Sequence, residues 1–185
     1  MRRLLAGLLA AATVLAPAMT PADDHRPPDA VLRVESQDLQ DGINYHYCWA
    51  VVGESYTTVS CAVGIYRFPE AVEVPFDVDV GLVFKSHTRP TQLQVFAWAL
   101  AGPDGYPIGP PELMPVTLVE EADGWQARFE TLVPCRHYYL DVYGVWPDVD
   151  DPSVEQDSNW TFHFVTGAPA PLPPDQDCAL SLPEA

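Results

Sequence analysis

Leu132-Val133-Pro134-Cys135-Arg136-His137-Tyr138-Tyr139-Leu140-Asp141-Val142-Tyr143-Gly144-Val145 is the stretch that decides the fold. Its first half is a Pro-punctuated turn. Its second half alternates as a half-buried strand does, with Tyr138, Leu140 and Val142 on one face. A Tyr at such a corner can send its hydroxyl back to the preceding loop, which locks one edge of a β-sandwich core. The segment specifies an architecture and not a reaction.

The period of two continues on both sides of it. Val72, Val74, Phe76, Val78, Val80, Leu82 and Phe84 hold every second position. That predicts one long strand, or two joined by a bend near Asp79-Val80-Gly81. Leu93, Val95, Ala97 and Ala99 alternate with Phe96, Trp98 and Leu100, so a strand over 92–101 is expected to be buried on both faces. Trp160, Phe162 and Phe164 form a further row. The 20 prolines and 11 glycines interrupt the chain too often for long helices. Turn residues at Gly53-Glu54-Ser55, Pro103-Asp104-Gly105 and Ala122-Asp123-Gly124 separate the apolar runs. The expectation is an all-β, antiparallel sandwich. Its strands run over 31–34, 43–52, 57–66, 72–78, 81–85, 92–101, 115–121, 125–131, 138–145 and 160–166.

The N-terminus has the form of an export leader. Met1-Arg2-Arg3 is a basic start, Leu4 to Leu15 is apolar, and Ala16-Pro17-Ala18 and Thr20-Pro21-Ala22 fit a small-residue cleavage site. The apolar run is shorter than the roughly 20 residues that a membrane-spanning helix needs. A leader over 1–22 is followed by a flexible segment over 23–30, a domain over 31–166 and a Pro-rich tail over 167–185. No membrane insertion is expected after cleavage, and the reading is a secreted or extracytoplasmic protein of bacterial character. All four cysteines, Cys48, Cys61, Cys135 and Cys178, follow the leader, and an even count in an exported chain points to disulfides. Three pairings are open. Cys48–Cys61 and Cys135–Cys178 are favoured, the first stapling neighbouring strands and the second tying the tail back.

The formal net charge is −17, and Lys85 is the only lysine. So acidic a chain repels nucleic acid and anionic lipid.

Leu132, Pro134 and Tyr138, followed by Leu140 and Val142, carry a family likeness. With the Trp98 strand upstream and the closing Phe164-Val165-Thr166, the segment 71–166 resembles a fibronectin type III or related immunoglobulin-like domain. Two positions depart from that pattern. Cys135 stands where the family usually has Gly, and the family's core Trp is absent from 80–85, where Phe84 is the substitute. The region 31–68 has no counterpart in the minimal domain and reads as an added N-terminal β-hairpin. The resemblance implies binding or spacing and seldom catalysis, and fold alone assigns no function.

The strongest candidate site is a long connection from Pro147 to Asn159. Asp148, Asp150, Asp151, Glu155 and Asp157 cluster there, and clustered carboxylates are what calcium requires. The spacing lacks the Gly of the usual calcium loop. A second candidate is the aromatic set Tyr45, Tyr47, Trp49, Tyr56, Tyr66 and Phe68, which could stack on a glycan or anchor an extracellular protein. Of the five histidines, His25, His46, His87, His137 and His163, none has a metal-binding spacing. No nucleophile elbow, zinc-protease helix or phosphate loop is present, so no catalytic residue and no cofactor is assigned. The expected function is a non-catalytic secreted binding module. An inhibitor or small hydrolase acting through an exposed loop such as Pro107-Ile108-Gly109-Pro110-Pro111, and calcium-dependent adhesion, are the alternatives.

Overall fold

The computed structural model describes residues 26–53 and 55–168. The segment expected to be a leader, His25, Glu54 and Cys178 lie outside the described residues. Within them the chain forms strands and no helix. β1 (Ala30–Val34) and β2 (Gln37–Asp41) make one hairpin, and β3 (Ile43–Gly53) and β4 (Tyr56–Val63) make a second. They are followed by β5 (Val72–Val74), β6 (Val80–Phe84), β7 (Gln92–Trp98), β8 (Leu100–Ala101), β9 (Pro107–Ile108) and β10 (Glu112–Leu113). β11 (Val116–Glu121), β12 (Gly124–Phe129), β13 (His137–Pro147) and β14 (Glu155–Thr166) complete the order.

Two sheets pack in a sandwich. The smaller has the order β11-β12-β6-β1-β2. The larger has the order β10-β7-β13-β14-β3-β4, with β5 running parallel to the end of β14. β8 and β9 form a separate small hairpin. The region expected to be a single added hairpin is thus two: β1–β2 widens one sheet and β3–β4 widens the other. The run from Val72 to Phe84 is two strands in different sheets. Asp77 takes a left-handed φ of 66° between them, which turns the chain from one layer to the other.

Alternation produces the core, as period-two burial requires. Tyr138, Leu140 and Val142 of β13 and Trp160, Phe162 and Phe164 of β14 face inward, against Leu32, Leu82 and Phe84 of the smaller sheet. Phe84 lies 5.5 Å from Trp160 and 5.6 Å from Trp146, ring centre to ring centre. Phe84, Trp146 and Trp160 thus pack as one aromatic cluster in the core. β7 differs from the expectation of burial on both faces. Val95 and Ala97 are buried, while Phe96 and Trp98 are half-buried on the outer side. There the Trp98 Nε1–H donates to the Gly109 carbonyl at 3.1 Å.

At the corner before β13, the Tyr138 hydroxyl accepts the Val133 N–H. Cys135 has a φ of 55°, the left-handed region that favours glycine. Its N–H donates to the Gly167 carbonyl at 3.2 Å. Gly124, at the start of β12, is the position where a side chain is least tolerable. A Cβ there would sit 2.1 Å from the Phe84 carbonyl oxygen.

Candidate functional site

The expected acidic loop is shorter than its sequence suggested. β14 begins at Glu155 and pairs with β13 as far as Pro147, so Glu155 and Asp157 belong to a strand. The reason is a tight turn built on Asp148. This residue is 2% exposed. Its Oδ1 accepts the N–H groups of Asp150 at 2.9 Å and Asp151 at 3.0 Å, and its Oδ2 accepts the Gln156 side-chain amide. Asp151 in turn caps Ser153, accepting its N–H at 3.0 Å and its hydroxyl at 2.6 Å. These carboxylates are engaged with their own backbone. Among the described residues, the only trio with metal-ligand atoms drawn together is His46, Cys48 and Asp157. Cys48 is consumed by a disulfide with Cys61, Cα to Cα 4.1 Å. That leaves the His46–Asp157 pair, 3.6 Å apart, short of the three protein ligands of a zinc site. Cys135 is also disulfide-bonded.

The aromatic set divides. Trp49 is buried against Trp146, and Tyr47 packs on the core. Tyr45, Tyr66 and Phe68 build a second layer on the outer face of the larger sheet. The segment after β4 crosses that face as a strap. It is held by the Gly64 N–H on the Tyr45 carbonyl, by the Thr161 hydroxyl on the Arg67 carbonyl, and by His163 Nδ1 at 3.3 Å from the Pro69 carbonyl. Beneath it the outward-facing residues of β13 and β14 stack. Tyr139 and His163 have ring centres 3.9 Å apart, and Phe68 lies edge-on to Tyr139 at 5.2 Å. Tyr106, from the β8–β9 hairpin, stacks on Tyr66 at 5.9 Å. The loop that contains Pro107 and Ile108 is thus anchored by the residue before it.

The polar atoms of this layer find intramolecular partners. The Tyr45 hydroxyl lies 2.9 and 3.0 Å from the two Asp141 oxygens. Burial raises the Asp141 carboxyl above its usual range, while Tyr45 and Asn159 act in the opposite sense. Burial also raises the Tyr45 and Tyr66 hydroxyls. The His163 imidazole is pushed down to about 4, chiefly by burial. A neutral His163 donates from Nδ1 to Pro69 and accepts at Nε2 from His137 Nδ1, 3.1 Å away. Sequence reasoning missed this His137–His163 pair. The two residues are far apart in the chain, and only the antiparallel β13–β14 register brings them together.

A cleft of about 600 Å³ opens at the β2–β3 connection. Arg26, Lys85, Asp29, Asp41 and Asn44 line it, with Tyr47 and Trp160 on its inner side.

The last surface is the free edge of the larger sheet. β4 pairs with β3 alone among the described residues. Tyr56, Val59, Val63 and Ile65 are 63%, 59%, 78% and 79% exposed. From Gly42 to Tyr66, Glu54 is the only Asp, Glu, Lys or Arg in a chain of net charge −17.

No protein-family model, curated protein or solved structure matches the chain. The fold itself defines an all-β sandwich stapled by Cys48–Cys61, and a disulfide is consistent with an extracytoplasmic location.

Proposed function

We propose that this protein is an exported, non-catalytic interaction module of immunoglobulin-like architecture, and that it engages a protein partner through the β3–β4 hairpin. The architectural part draws on strand order. β12 pairs with β6 and β11 on one sheet, and β7, β13 and β14 run side by side on the other. The Tyr138 corner joins the layers as the family's tyrosine corner does. The export part rests on the leader over 1–22 together with the disulfide.

One observation carries the functional part. An uncharged, exposed strand edge stands out from an otherwise strongly acidic surface, and the cores of protein interfaces are likewise depleted of charge. To test it, the folded protein and a Val59→Pro variant are immobilised and exposed to extracellular extract. Proteins held by the first and released by the second are expected. Equal retention by both would overturn the reading. So would turnover of a substrate that depends on a single side chain such as Asp141.

The cleft favours a second reading, binding of a small polar ligand such as a glycan. Its volume falls in the range of small-molecule sites, and it combines charged and amide groups with two aromatic residues. A glycan array probed with the protein and with a Lys85→Ala variant tests it. Signals lost in the variant support this reading, and a blank array removes it.

A further inference from the structure

We infer that the free edge of β4 is a homodimer seam. Two copies of this chain pair antiparallel, β4 to β4, about a two-fold axis at Ser60. The inference rests on the reading of the β3–β4 hairpin as the docking element and names its occupant.

Backbone parity gives the first argument. Residues of an antiparallel pair direct their N–H and C=O groups alternately toward and away from the partner strand. The Gly64 N–H donates to the Tyr45 carbonyl at 2.6 Å, so even-numbered residues of β4 face β3. The Cys48–Cys61 Cα separation of 4.1 Å is that of a pair without mutual hydrogen bonds. On β3 the Ala50 carbonyl, opposite Val59, turns away from β4 and accepts the Gln156 amide at 3.0 Å. Three observations agree: Thr57, Val59, Cys61 and Val63 direct their N–H and C=O groups to the open edge. An extended strand satisfies such a row along its whole length, because its donors and acceptors recur at the same spacing.

A comparison of edges gives the second. Natural sheets guard their edges with charge, proline, bulges or brevity. β2 carries Asp38 and Asp41 and is itself bulged against β1, with Leu39 left out of the register. β11 carries Glu120 and Glu121 and follows Pro115. β10 is 2 residues long, includes Glu112 and follows Pro110-Pro111. β4, Tyr-Thr-Thr-Val-Ser-Cys-Ala-Val, has none of these and is 8 residues long.

Charge complementarity selects the occupant. An anionic edge would call for a cationic partner, whereas this edge is neutral within a chain of −17. A second copy can meet the first along it without placing like charges opposite one another. One register satisfies all four outward residues of both strands. Thr57 pairs with Val63 of the second copy and Val59 with its Cys61, which leaves Ser60 facing Ser60 across the axis. The contact is isologous and closes on itself, and the guarded edges stop growth at two copies.

Sedimentation of the intact folded protein tests this, with four variants. Wild type is expected to sediment as a dimer. Val59→Pro removes an N–H that points to the seam and not to β3, and is expected to sediment as a folded monomer. Val59→Lys, which keeps every backbone group, is expected to do the same, so the test survives if the proline variant fails to fold. Ser60→Cys is expected to form a covalent dimer under oxidising conditions, because residues directly opposed without mutual hydrogen bonds lie about 4.5 Å apart at Cα, within disulfide reach. Thr58→Cys faces Ala62 and is expected to stay uncrosslinked. A wild-type monomer at about 100 µM, a concentration that detects millimolar-or-tighter association, would overturn the inference. A dimer unaffected by both Val59 substitutions would overturn it too. If the monomeric protein still retained another protein through Val59, only the second copy would fall. If neither association depended on Val59, the hairpin reading would fall with it.

Discussion

The Tyr138 hydroxyl oxygen accepts the Val133 N–H at 2.6 Å while its ring stacks on Phe164 at a centroid distance of 4.9 Å. One side chain thereby joins the turn that precedes β13 to the core between the sheets. Tyr138 is 1% exposed, so the hydroxyl bonds in a setting where water is not a ready substitute, and an unmet donor there is destabilising.

Replacing Tyr138 with Phe keeps the ring and strands the Val133 N–H. A loss of about 1 kcal/mol is expected, the net worth of one hydrogen bond whose donor residue, Val133, is itself half exposed. Urea titration at constant slope measures it. An unchanged midpoint would mean that the turn holds without the hydroxyl.

His163 makes stability depend on pH. Burial keeps its imidazole neutral down to about 4, whereas an unfolded His accepts a proton near 6.5. Its stabilising contribution is present above about 6.5 and is lost as the pH falls toward 4, by up to about 3 kcal/mol. Asp141 acts in the opposite direction, since a carboxyl raised by burial is more easily tolerated once protonated. A His163→Phe variant, which keeps the stack on Tyr139, is expected to flatten the profile between pH 7 and 4 in denaturant titrations. An equally steep variant would locate the acid sensitivity elsewhere.

The Cys48–Cys61 bridge spans 13 positions of sequence. Closing a loop of that size restricts the unfolded chain by about 3 kcal/mol. A Cys48→Ala, Cys61→Ala double variant is expected to melt lower by that amount and yet fold, because β3 still pairs with β14. A melt matching wild type would show that the bridge does not limit the unfolded chain.

Asp148 organises the β13–β14 turn from within. Asp148→Ala removes the acceptor for two N–H groups and the Gln156 amide, and a loss of about 3 kcal/mol is expected. Calcium at millimolar concentration is expected to leave the wild-type midpoint in place, because both oxygens of Asp148 are engaged. A midpoint that climbs with calcium, by about 2.7 kcal/mol at 100 times the dissociation constant, would establish the cation reading.

Much of the architecture was legible because burial in a strand leaves a period of two in the sequence. The rows Val80 to Phe84, Tyr138 to Val142 and Trp160 to Phe164 gave the two layers. Tyr138 with Pro134 gave the corner, and the favoured Cys48–Cys61 pairing is the staple that the structure shows. β2 was not legible, since Gln-Asp-Leu-Gln-Asp shows no apolar alternation and is held by its backbone and by polar side chains, Asp38 on Arg33 and Gln40 on the His163 backbone. The end of the acidic connection was misplaced for a related reason. Nothing in the local pattern says that a buried Asp148 would draw the turn tight and free Glu155 to start a strand.

Alternation and turn residues are local properties, so the amino-acid sequence alone determined an all-β chain and its main strands, and favoured its first disulfide among three pairings. Register, edge and face are relations between distant segments, and only the folded sheets decided them. They set His137 against His163, passed the 64–69 strap over Tyr139, and left β4 paired with β3 alone among the described residues, with its other backbone groups turned outward. Hydrogen bonding between strands reads a backbone that every residue but proline shares, so side-chain alternation tells which face of a strand is buried but not which distant strand lies beside it.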